Sequence, residues 1–226
     1  MKSNKALVLD LDGTLTKGGE DRLSRELRSM LLQFKKDGWI LILATGRDRR
    51  YLESREDLRN IFDGWVCESG ISIWILSTGG YRVLVDERWR LFINEVKRLG
   101  CIIPKENTVN LSCSECMESI RLIASRLGVK YKVLNNKGSI LLLPENIDKF
   151  VGLNELLRLM RFKGFVAAIG DSEIDVEMLR NADFKAAPSN ADQAVKEIVD
   201  YLSPREDGEG VIDILKLLKH RFVGDC

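Results

Sequence analysis

Two carboxylates stand directly after the first apolar run of the chain. Asp10 and Asp12 follow residues 6–9, Ala-Leu-Val-Leu, and Gly13-Thr14 comes next. A continuous apolar run predicts a strand buried on both faces of a parallel sheet, and ligands of such sheets bind just beyond the carboxyl ends of the strands. Two neighbouring carboxylates repel each other unless a cation or a shared proton intervenes. The pattern therefore indicates magnesium-dependent chemistry at an anionic centre, with a plain Asp-Gly turn as the alternative.

Polar residues also follow two later apolar runs, residues 39–44 and 165–169. These polar residues are Thr45 and Asp171, and Asp175 stands four residues after Asp171, on the same face if a helix begins there. Because the carboxyl ends of parallel strands meet at one edge of a sheet, residues that are remote in sequence become neighbours there. Carboxylates suit a hard cation such as Mg²⁺, which keeps waters and a substrate phosphate in its shell, and helix N-termini attract anions. The sequence thus predicts a phosphate-ester site.

Lys149 joins these candidates by a separate argument. It stands where a helix is predicted to begin, and a cation at that end opposes the helix dipole. An anionic ligand would explain the lysine, and a solvated surface lysine is the alternative.

The elements that must position these residues alternate as β-α-β-α-β up to Cys67, which is typical of a doubly wound parallel sheet. The pattern then changes to a hairpin over residues 71–85 and an α-β-α-β-β block. We therefore expect an α/β fold in which residues 1–80 and 148–226 form the core domain and residues 81–147 form a small inserted α+β domain. The other predicted helices cover residues 24–36, 49–60, 86–100, 116–127, 149–160, 190–202 and 211–219, with one more opening near 175. The other predicted strands cover residues 64–67, 107–112, 129–134, 139–143 and 184–187, with a turn at 136–138 and a surface loop at 205–210.

Composition excludes several classes of protein. The 226 residues carry 35 basic and 34 acidic side chains, for a net charge of +1, whereas nucleic-acid binders usually show a basic excess. Arg47, Arg49 and Arg50 are interpreted as a solvated helix face, with Arg47 as a candidate neighbour of the phosphate. No apolar run reaches the roughly 18 residues that a membrane span needs, and residues 1–5 carry no signal-peptide pattern, so a cytoplasmic location is expected. Exposed strands of the inserted domain could pair between two copies of the chain, so both a monomer and a homodimer remain open.

The five cysteines are odd in number and irregularly spaced, so a disulfide framework is not expected. Cys113 and Cys116 have the spacing of a zinc knuckle, but no second pair exists and His220 is the only histidine. A zinc site therefore lacks ligands, and a Ser-His-Asp or Cys-His mechanism is poorly supported.

Four motifs in order resemble those of the haloacid dehalogenase-like hydrolase superfamily. They are Asp10-Leu-Asp-Gly-Thr14, Ala44-Thr-Gly-Arg47, Asp148-Lys149 and Gly170-Asp-Ser-Glu-Ile-Asp175. The resemblance implies a Rossmann-like core with an α+β cap inserted between the second and third motifs. It also implies a cap that closes over the site and sets the leaving-group pocket.

The resemblance further implies a role for each matching residue. Asp10 would be the nucleophile that forms an aspartyl-phosphate, and Asp12 would protonate the leaving oxygen and later activate water. The phosphoryl oxygens would be bound by Thr45, Gly46 and Lys149. Mg²⁺ would be held by the Asp10 carboxylate, the Asp12 backbone carbonyl and Asp171, with Asp175 ligating directly or lying just behind.

Three positions depart from the family pattern and bear on the substrate. Ile174 stands where an Asn is common, Phe150 where relatives often have Gly, and Ser69 where an Asn is common. The small cap and the C-terminal segment are similar to archaeal phosphoglycolate phosphatases, so the expected reaction is hydrolysis of a small phosphorylated metabolite, with 2-phosphoglycolate first. A sugar phosphatase and a mannosyl-3-phosphoglycerate phosphatase are the enzymatic alternatives. A non-catalytic phosphate sensor or scaffold is the alternative that Ile174 keeps open.

Overall fold

The computed structural model describes residues 4–18, 21–136 and 139–223. The strands are β1 (Lys5–Leu9), β2 (Ile40–Ala44), β3 (Gly64–Cys67), β4 (Ser72–Ile75), β5 (Gly80–Val83), β6 (Ile102–Pro104), β7 (Val109–Leu111), β8 (Tyr131–Asn136), β9 (Ser139–Pro144), β10 (Phe165–Ile169), β11 (Phe184–Ala187) and β12 (Tyr201–Leu202). The α-helices are α1 (Arg25–Lys36), α2 (Arg49–Ser54), α3 (Glu87–Val96), α4 (Met117–Leu127), α5 (Lys149–Leu159), α6 (Val176–Arg180), α7 (Gln193–Lys196) and α8 (Asp207–Val223).

The larger sheet has eight strands in the order β12-β11-β10-β1-β2-β3-β4-β5. The six strands from β12 to β3 are parallel, and β4 and β5 extend the sheet as an antiparallel hairpin. Helices α1 and α8 cover one face, and α5, α6 and α7 cover the other. This arrangement confirms the predicted doubly wound α/β fold.

The amphipathic helices bury the apolar stripes that the sequence predicts. In α1, Leu27, Leu31 and Phe34 are 0%, 0% and 3% exposed, because residues three or four apart share one face of a helix. Ser24 caps this helix by accepting a hydrogen bond from the Leu27 N–H at 3.1 Å, and Gly38 follows it with φ +85°.

A separate four-stranded antiparallel sheet has the order β6-β7-β9-β8. Helices α3 and α4 pack on it around a core of their own. Trp89, Phe92, Ile93 and Val96 are buried there, as predicted. Strand β6 is three residues long and was not predicted. The predicted turn at 136–138 includes Lys137 and Gly138, which lie outside the described residues.

Some element boundaries differ from those predicted. The expected start of the inserted unit, residue 81, falls inside β5, which pairs with β4 in the larger sheet. The helix predicted over 190–202 is wrong at both ends, because only Gln193–Lys196 is helical. The Asp200 N–H donates to the Lys185 carbonyl, Asp200 Oδ2 accepts from the Lys185 N–H, and the chain then enters β12. The predicted 205–210 loop is helical from residue 207 onward. Gly208 packs closely against the Leu15 carbonyl, because a Cβ added at Gly208 would lie 2.8 Å from that oxygen.

One disulfide is present within the described ranges, contrary to the expectation from cysteine spacing. It joins Cys101 and Cys116, whose Cα atoms are 6.2 Å apart. Because Cys116 is bonded in this way, it does not pair with Cys113 as a zinc ligand. Across the same ranges, no helix has the length and apolar character that crossing a bilayer requires.

Candidate active site

The register of three neighbouring strands aligns the predicted site residues. Leu9 pairs with Ile169 on one side and with Leu43 on the other. The chain therefore leaves the sheet at the same level in all three strands, and the residues that follow lie at one edge. These residues are Asp10, Thr45 and Asp171.

Three carboxylates converge at this edge. Asp10, Asp171 and Asp175 are 4%, 0% and 0% exposed, and each offers an oxygen within 4.8 Å of the others. Lys149, itself 1% exposed, donates to Asp10 Oδ1 at 2.5 Å and to Asp175 Oδ1 at 2.6 Å. The alternative of a solvated Lys149 is therefore wrong.

The cluster carries more negative than positive charge. Burial, reinforced by Asp175 and Asp171, raises the pKa of Asp10 well above its usual value, although Lys149 opposes the rise. Burial by itself lowers the pKa of Lys149, but the Asp10 and Asp175 carboxylates outweigh it and raise that pKa. An oxygen-only donor set with surplus negative charge fits a hard divalent cation such as Mg²⁺.

Asp175 organises the loop as well as the lysine. Its Oδ2 accepts hydrogen bonds from Ser172 Oγ at 2.9 Å, the Ser172 N–H at 3.1 Å and the Asp171 N–H at 3.2 Å. With Lys149 on Oδ1, both oxygens are engaged by the protein. This bonding fits a residue that fixes Asp171 and Lys149 more closely than an open metal ligand.

Gly13 and Thr14 position Asp171 from the other side of the site. The Thr14 hydroxyl donates to Asp171 Oδ1 at 2.6 Å. Gly13 has φ +88°, and a Cβ added there would lie 2.4 Å from Asp171 Oδ2. The motif therefore needs glycine for its left-handed backbone and for the close approach of the carboxylate.

Asp12 stands apart from the three clustered carboxylates. It pairs with Arg47 in bidentate fashion, with both N–O distances 2.8 Å, and its side chain is 28% exposed. The Arg47 guanidinium also lies 4.4 Å from the Tyr51 ring centroid. Arg47 thus lines a cavity with Asp10. Of the predicted solvated face, Arg50 is the exposed member, with 78% of its side chain accessible and Glu106 at 3.4 Å, whereas the Arg49 side chain is 32% exposed and pairs with Glu53 and Glu106.

Thr45 and Gly46 differ in their exposure to the site. Thr45 is 1% exposed, and its Oγ1 accepts a hydrogen bond from the Arg47 N–H at 3.1 Å. Gly46 lines an open cavity of about 510 Å³ together with Asp10 and Lys149.

Residues from both units line the cavity. Ile174 lies on the core side, and the unit built on the four-stranded sheet contributes Ile103, Pro104, Lys105 and Asn110. The loop between β6 and β7 docks on the core, because both Glu68 side-chain oxygens accept hydrogen bonds from Asn107 at 2.7 Å. Burial raises the pKa of Glu68, and the two hydrogen bonds from Asn107 offset part of this rise.

The three departures from the family pattern occupy different places. Ile174 forms part of the apolar wall, and the loop around it is held by Asp175 and by Asp192, which accepts from the Glu173 N–H at 3.0 Å. Ser69 is 1% exposed with φ +54°. Phe150 is half-buried in α5.

Sequence reasoning missed several contributors to this site. Thr14 and Ser172 lie inside the quoted motifs, so attention to their hydroxyls could have identified them. Glu68 directly precedes Ser69, one of the three positions that depart from the family pattern, so that segment offered a signal. Lys105 and Asn107 carry no local pattern, and only the docking of one unit on the other identifies them.

The fold and motifs have counterparts among known proteins. The sequence profile described as haloacid dehalogenase-like hydrolase matches residues 7–78 and 107–215. A phosphoglycolate phosphatase of Sulfurisphaera tokodaii is 30% identical over 220 residues, which span 93% of this chain and 92% of the relative. A phosphoglycolate phosphatase of Archaeoglobus fulgidus is 30% identical over 223 residues, spanning 95% and 96%.

Solved structures share the fold at lower identity. A crystal structure from Thermoplasma acidophilum has a TM-score of 0.77 at 20% identity, covering 96% of this chain and 99% of that one. A haloacid dehalogenase-like hydrolase from Bacteroides thetaiotaomicron has a TM-score of 0.77 at 22% identity, covering 96% and 100%. The chain belongs to the haloacid dehalogenase-like hydrolase family. It is an enzyme of the phosphatase class.

Proposed function

We propose that the protein is a magnesium-dependent phosphomonoesterase that works through an aspartyl-phosphate and has 2-phosphoglycolate as its preferred substrate. One observation carries this proposal, the buried set of Asp10, Asp171 and Asp175 with Lys149 inserted between two of them. Such a set suits the stabilisation of charge on a transferring phosphoryl group.

The proposed reaction has two steps. In the first, an Asp10 oxygen attacks phosphorus, the ester P–O bond breaks, and Asp12 gives a proton to the leaving oxygen. In the second, Asp12 takes a proton from water, which attacks the aspartyl-phosphate and releases inorganic phosphate with Asp10 free again. Lys149, Thr45 and Gly46 are proposed to bind the phosphoryl oxygens.

Asp10, Asp171 and the Asp12 backbone carbonyl are the proposed ligands of Mg²⁺, with Asp175 holding Asp171 in place. When bound, the ion supplies positive charge that offsets the carboxylates and the phosphoryl oxygens. Arg47 keeps the Asp12 side chain at the cavity, where the leaving oxygen would depart.

Residues 84–147 are proposed to act as the cap that closes the cavity and excludes water. This places the start of the cap a few residues later than the sequence predicts, after β5. The β6–β7 loop carries the proposal, because it brings the cap side of the cavity against Glu68 and Gly46.

Two observations support a small anionic leaving group. The relatives at 30% identity are phosphoglycolate phosphatases, and the wall of the cavity of about 510 Å³ includes Lys105, which has no ion-pair partner among the described residues. Sugar phosphates and mannosyl-3-phosphoglycerate are the competing substrates in the test.

The test is a phosphate-release screen with 2-phosphoglycolate, sugar phosphates, nucleotides, phosphoglycerates and p-nitrophenyl phosphate, with and without Mg²⁺. The expected result is magnesium-dependent turnover that is greatest with 2-phosphoglycolate and lost in Asp10→Asn. Greatest turnover with a sugar phosphate would change the proposed substrate from 2-phosphoglycolate to a sugar phosphate. No turnover of any ester would favour a phosphate-binding sensor instead.

A further inference from the structure

Lys105 spans the gap between the two units at the cavity. It lies in the turn after β6, where its backbone N–H donates to the Thr108 carbonyl at 3.1 Å. Its Nζ reaches across to the core and donates to the Gly46 carbonyl oxygen at 2.7 Å. Gly46 belongs to the proposed phosphate-binding motif, so this ammonium stands beside the place where the ester would lie.

The neighbours of Lys105 fix its position. Glu106 pairs with Arg49 at 3.3 Å, and Asn107 is held by both oxygens of the buried Glu68. Because the following residues are anchored to the core, the Lys105 side chain starts from a defined backbone position at the cavity wall.

The charge on Lys105 is less compensated than that of Arg47 and Lys149, two other cations that line the cavity. Arg47 is paired with Asp12, and Lys149 with Asp10. Within residues 4–18, 21–136 and 139–223, Lys105 has no carboxylate within 4.0 Å and one hydrogen bond from its three N–H donors. Desolvation accordingly lowers the pKa of Lys105 to about 8. A cation in this state gains from an anionic ligand.

We propose that the Lys105 ammonium binds the acid group of the leaving group, so that the enzyme selects small phosphate monoesters with a carboxylate close to the ester bond. The proposal rests on the proposed phosphatase function and names its substrate class. Ile103 and Pro104, which precede Lys105 in the cavity wall, are apolar, so Lys105 is the charged side chain of this stretch. Lys105 also lies between the two segments that the family profile matches.

The test compares two esters that differ in one charge. 2-Phosphoglycolate carries a carboxylate, and 2-hydroxyethyl phosphate carries a neutral CH₂OH in its place. Binding of each is measured by calorimetry with Asp10→Asn protein, in which turnover is blocked, with and without the added change Lys105→Met. Loss of a charge-assisted hydrogen bond is expected to weaken 2-phosphoglycolate on the order of 10- to 100-fold, and 2-hydroxyethyl phosphate far less.

Lys97→Met is the matched control. Lys97 donates to the Glu106 carbonyl at 3.0 Å, in the same loop, but does not line the cavity. This variant is expected to keep the wild-type ratio of the two affinities. The ratio of kcat/KM for the two esters, measured without the Asp10 change, is expected to fall in Lys105→Met and to hold in Lys97→Met.

Other outcomes separate this inference from the function on which it rests. Equal weakening of both esters in Lys105→Met, or no weakening, would overturn the inference and assign Lys105 to loop docking alone. A wild-type enzyme that hydrolyses p-nitrophenyl phosphate but does not prefer the carboxylate ester would overturn the inference and leave the phosphatase standing. Binding of 2-phosphoglycolate that depends on Lys105, in a protein that hydrolyses no ester, would support the inference while the proposed function fails.

Discussion

Gly13→Ala is the substitution that tests the geometry of the carboxylate cluster most sharply. The added methyl group would lie 2.4 Å from Asp171 Oδ2 and 2.9 Å from its Cγ. The carboxylate oxygen must retreat by about 1 Å to reach the 3.4 Å of ordinary van der Waals contact. A displacement of this size at a reacting centre costs about 100-fold in rate.

The same substitution also strains the backbone, so its effect on stability must be separated from its effect on the site. Gly38→Ala provides the control, because Gly38 has φ +85° and a Cβ there meets no heavy atom within 4 Å. Each alanine at positive φ is expected to cost about 1–2 kcal/mol in free energy of unfolding. That cost corresponds to a melting temperature lower by roughly 2–8 °C.

The assay measures p-nitrophenyl phosphate turnover over a range of Mg²⁺ concentrations, together with thermal melts of both variants. Gly13→Ala is expected to lose about 100-fold in kcat/KM and to need more Mg²⁺, whereas Gly38→Ala keeps wild-type kinetics. If Gly13→Ala retains the activity and metal requirement of Gly38→Ala, the close approach of Asp171 to the first motif has no part in catalysis.

Three other perturbations test separate parts of the account. Chelation by EDTA is expected to stop phosphate release and added Mg²⁺ to restore it, and turnover that resists EDTA would contradict the magnesium proposal. Lys149→Met is expected to lower the free energy of unfolding by about 3–5 kcal/mol, because it leaves three carboxylates within 4.8 Å of one another without their buried cation. Mg²⁺ is expected to restore part of this loss. An unchanged midpoint of urea unfolding would contradict a charge-balancing role for Lys149. Lys105 loses its proton as pH rises through about 8. Above this pH, kcat/KM is expected to fall for 2-phosphoglycolate and to stay constant for 2-hydroxyethyl phosphate. Parallel pH profiles for the two esters would contradict this expectation. The charged groups around the Lys105 ammonium are Glu68, Arg47, Asp48 and Asp12.

The buried strands of the core were predictable because their apolar runs are continuous. β3 (Gly64–Cys67), β10 (Phe165–Ile169) and β11 (Phe184–Ala187) have the predicted bounds. Short edge elements were not, since β12 has two residues and depends on pairing with β11 rather than on its own sequence. The helix α8 begins earlier than predicted because glycines that suggest a loop instead permit close packing, as at Gly208.

The candidate site also contains residues that could be predicted from the sequence and residues that could not. Asp10, Asp171 and Asp175 could be predicted to meet because parallel strands end at one edge, and Lys149 joins them. The contribution of the other unit was not predictable, because the position of Lys105 over Gly46 depends on how the β6–β7 loop docks. Periodicity within one element carries no information about contacts across two units.

Trapping of the covalent intermediate tests the central claim most directly. Asp12→Asn protein is mixed with p-nitrophenyl phosphate and Mg²⁺, because this leaving group needs no protonation while loss of the base slows the second step. The sample is quenched, reduced with borohydride and mapped by peptide mass spectrometry. We expect a reduced side chain at residue 10 that requires both Mg²⁺ and substrate. A reduced carboxylate at another position, or phosphate release with residue 10 unmodified, would contradict it.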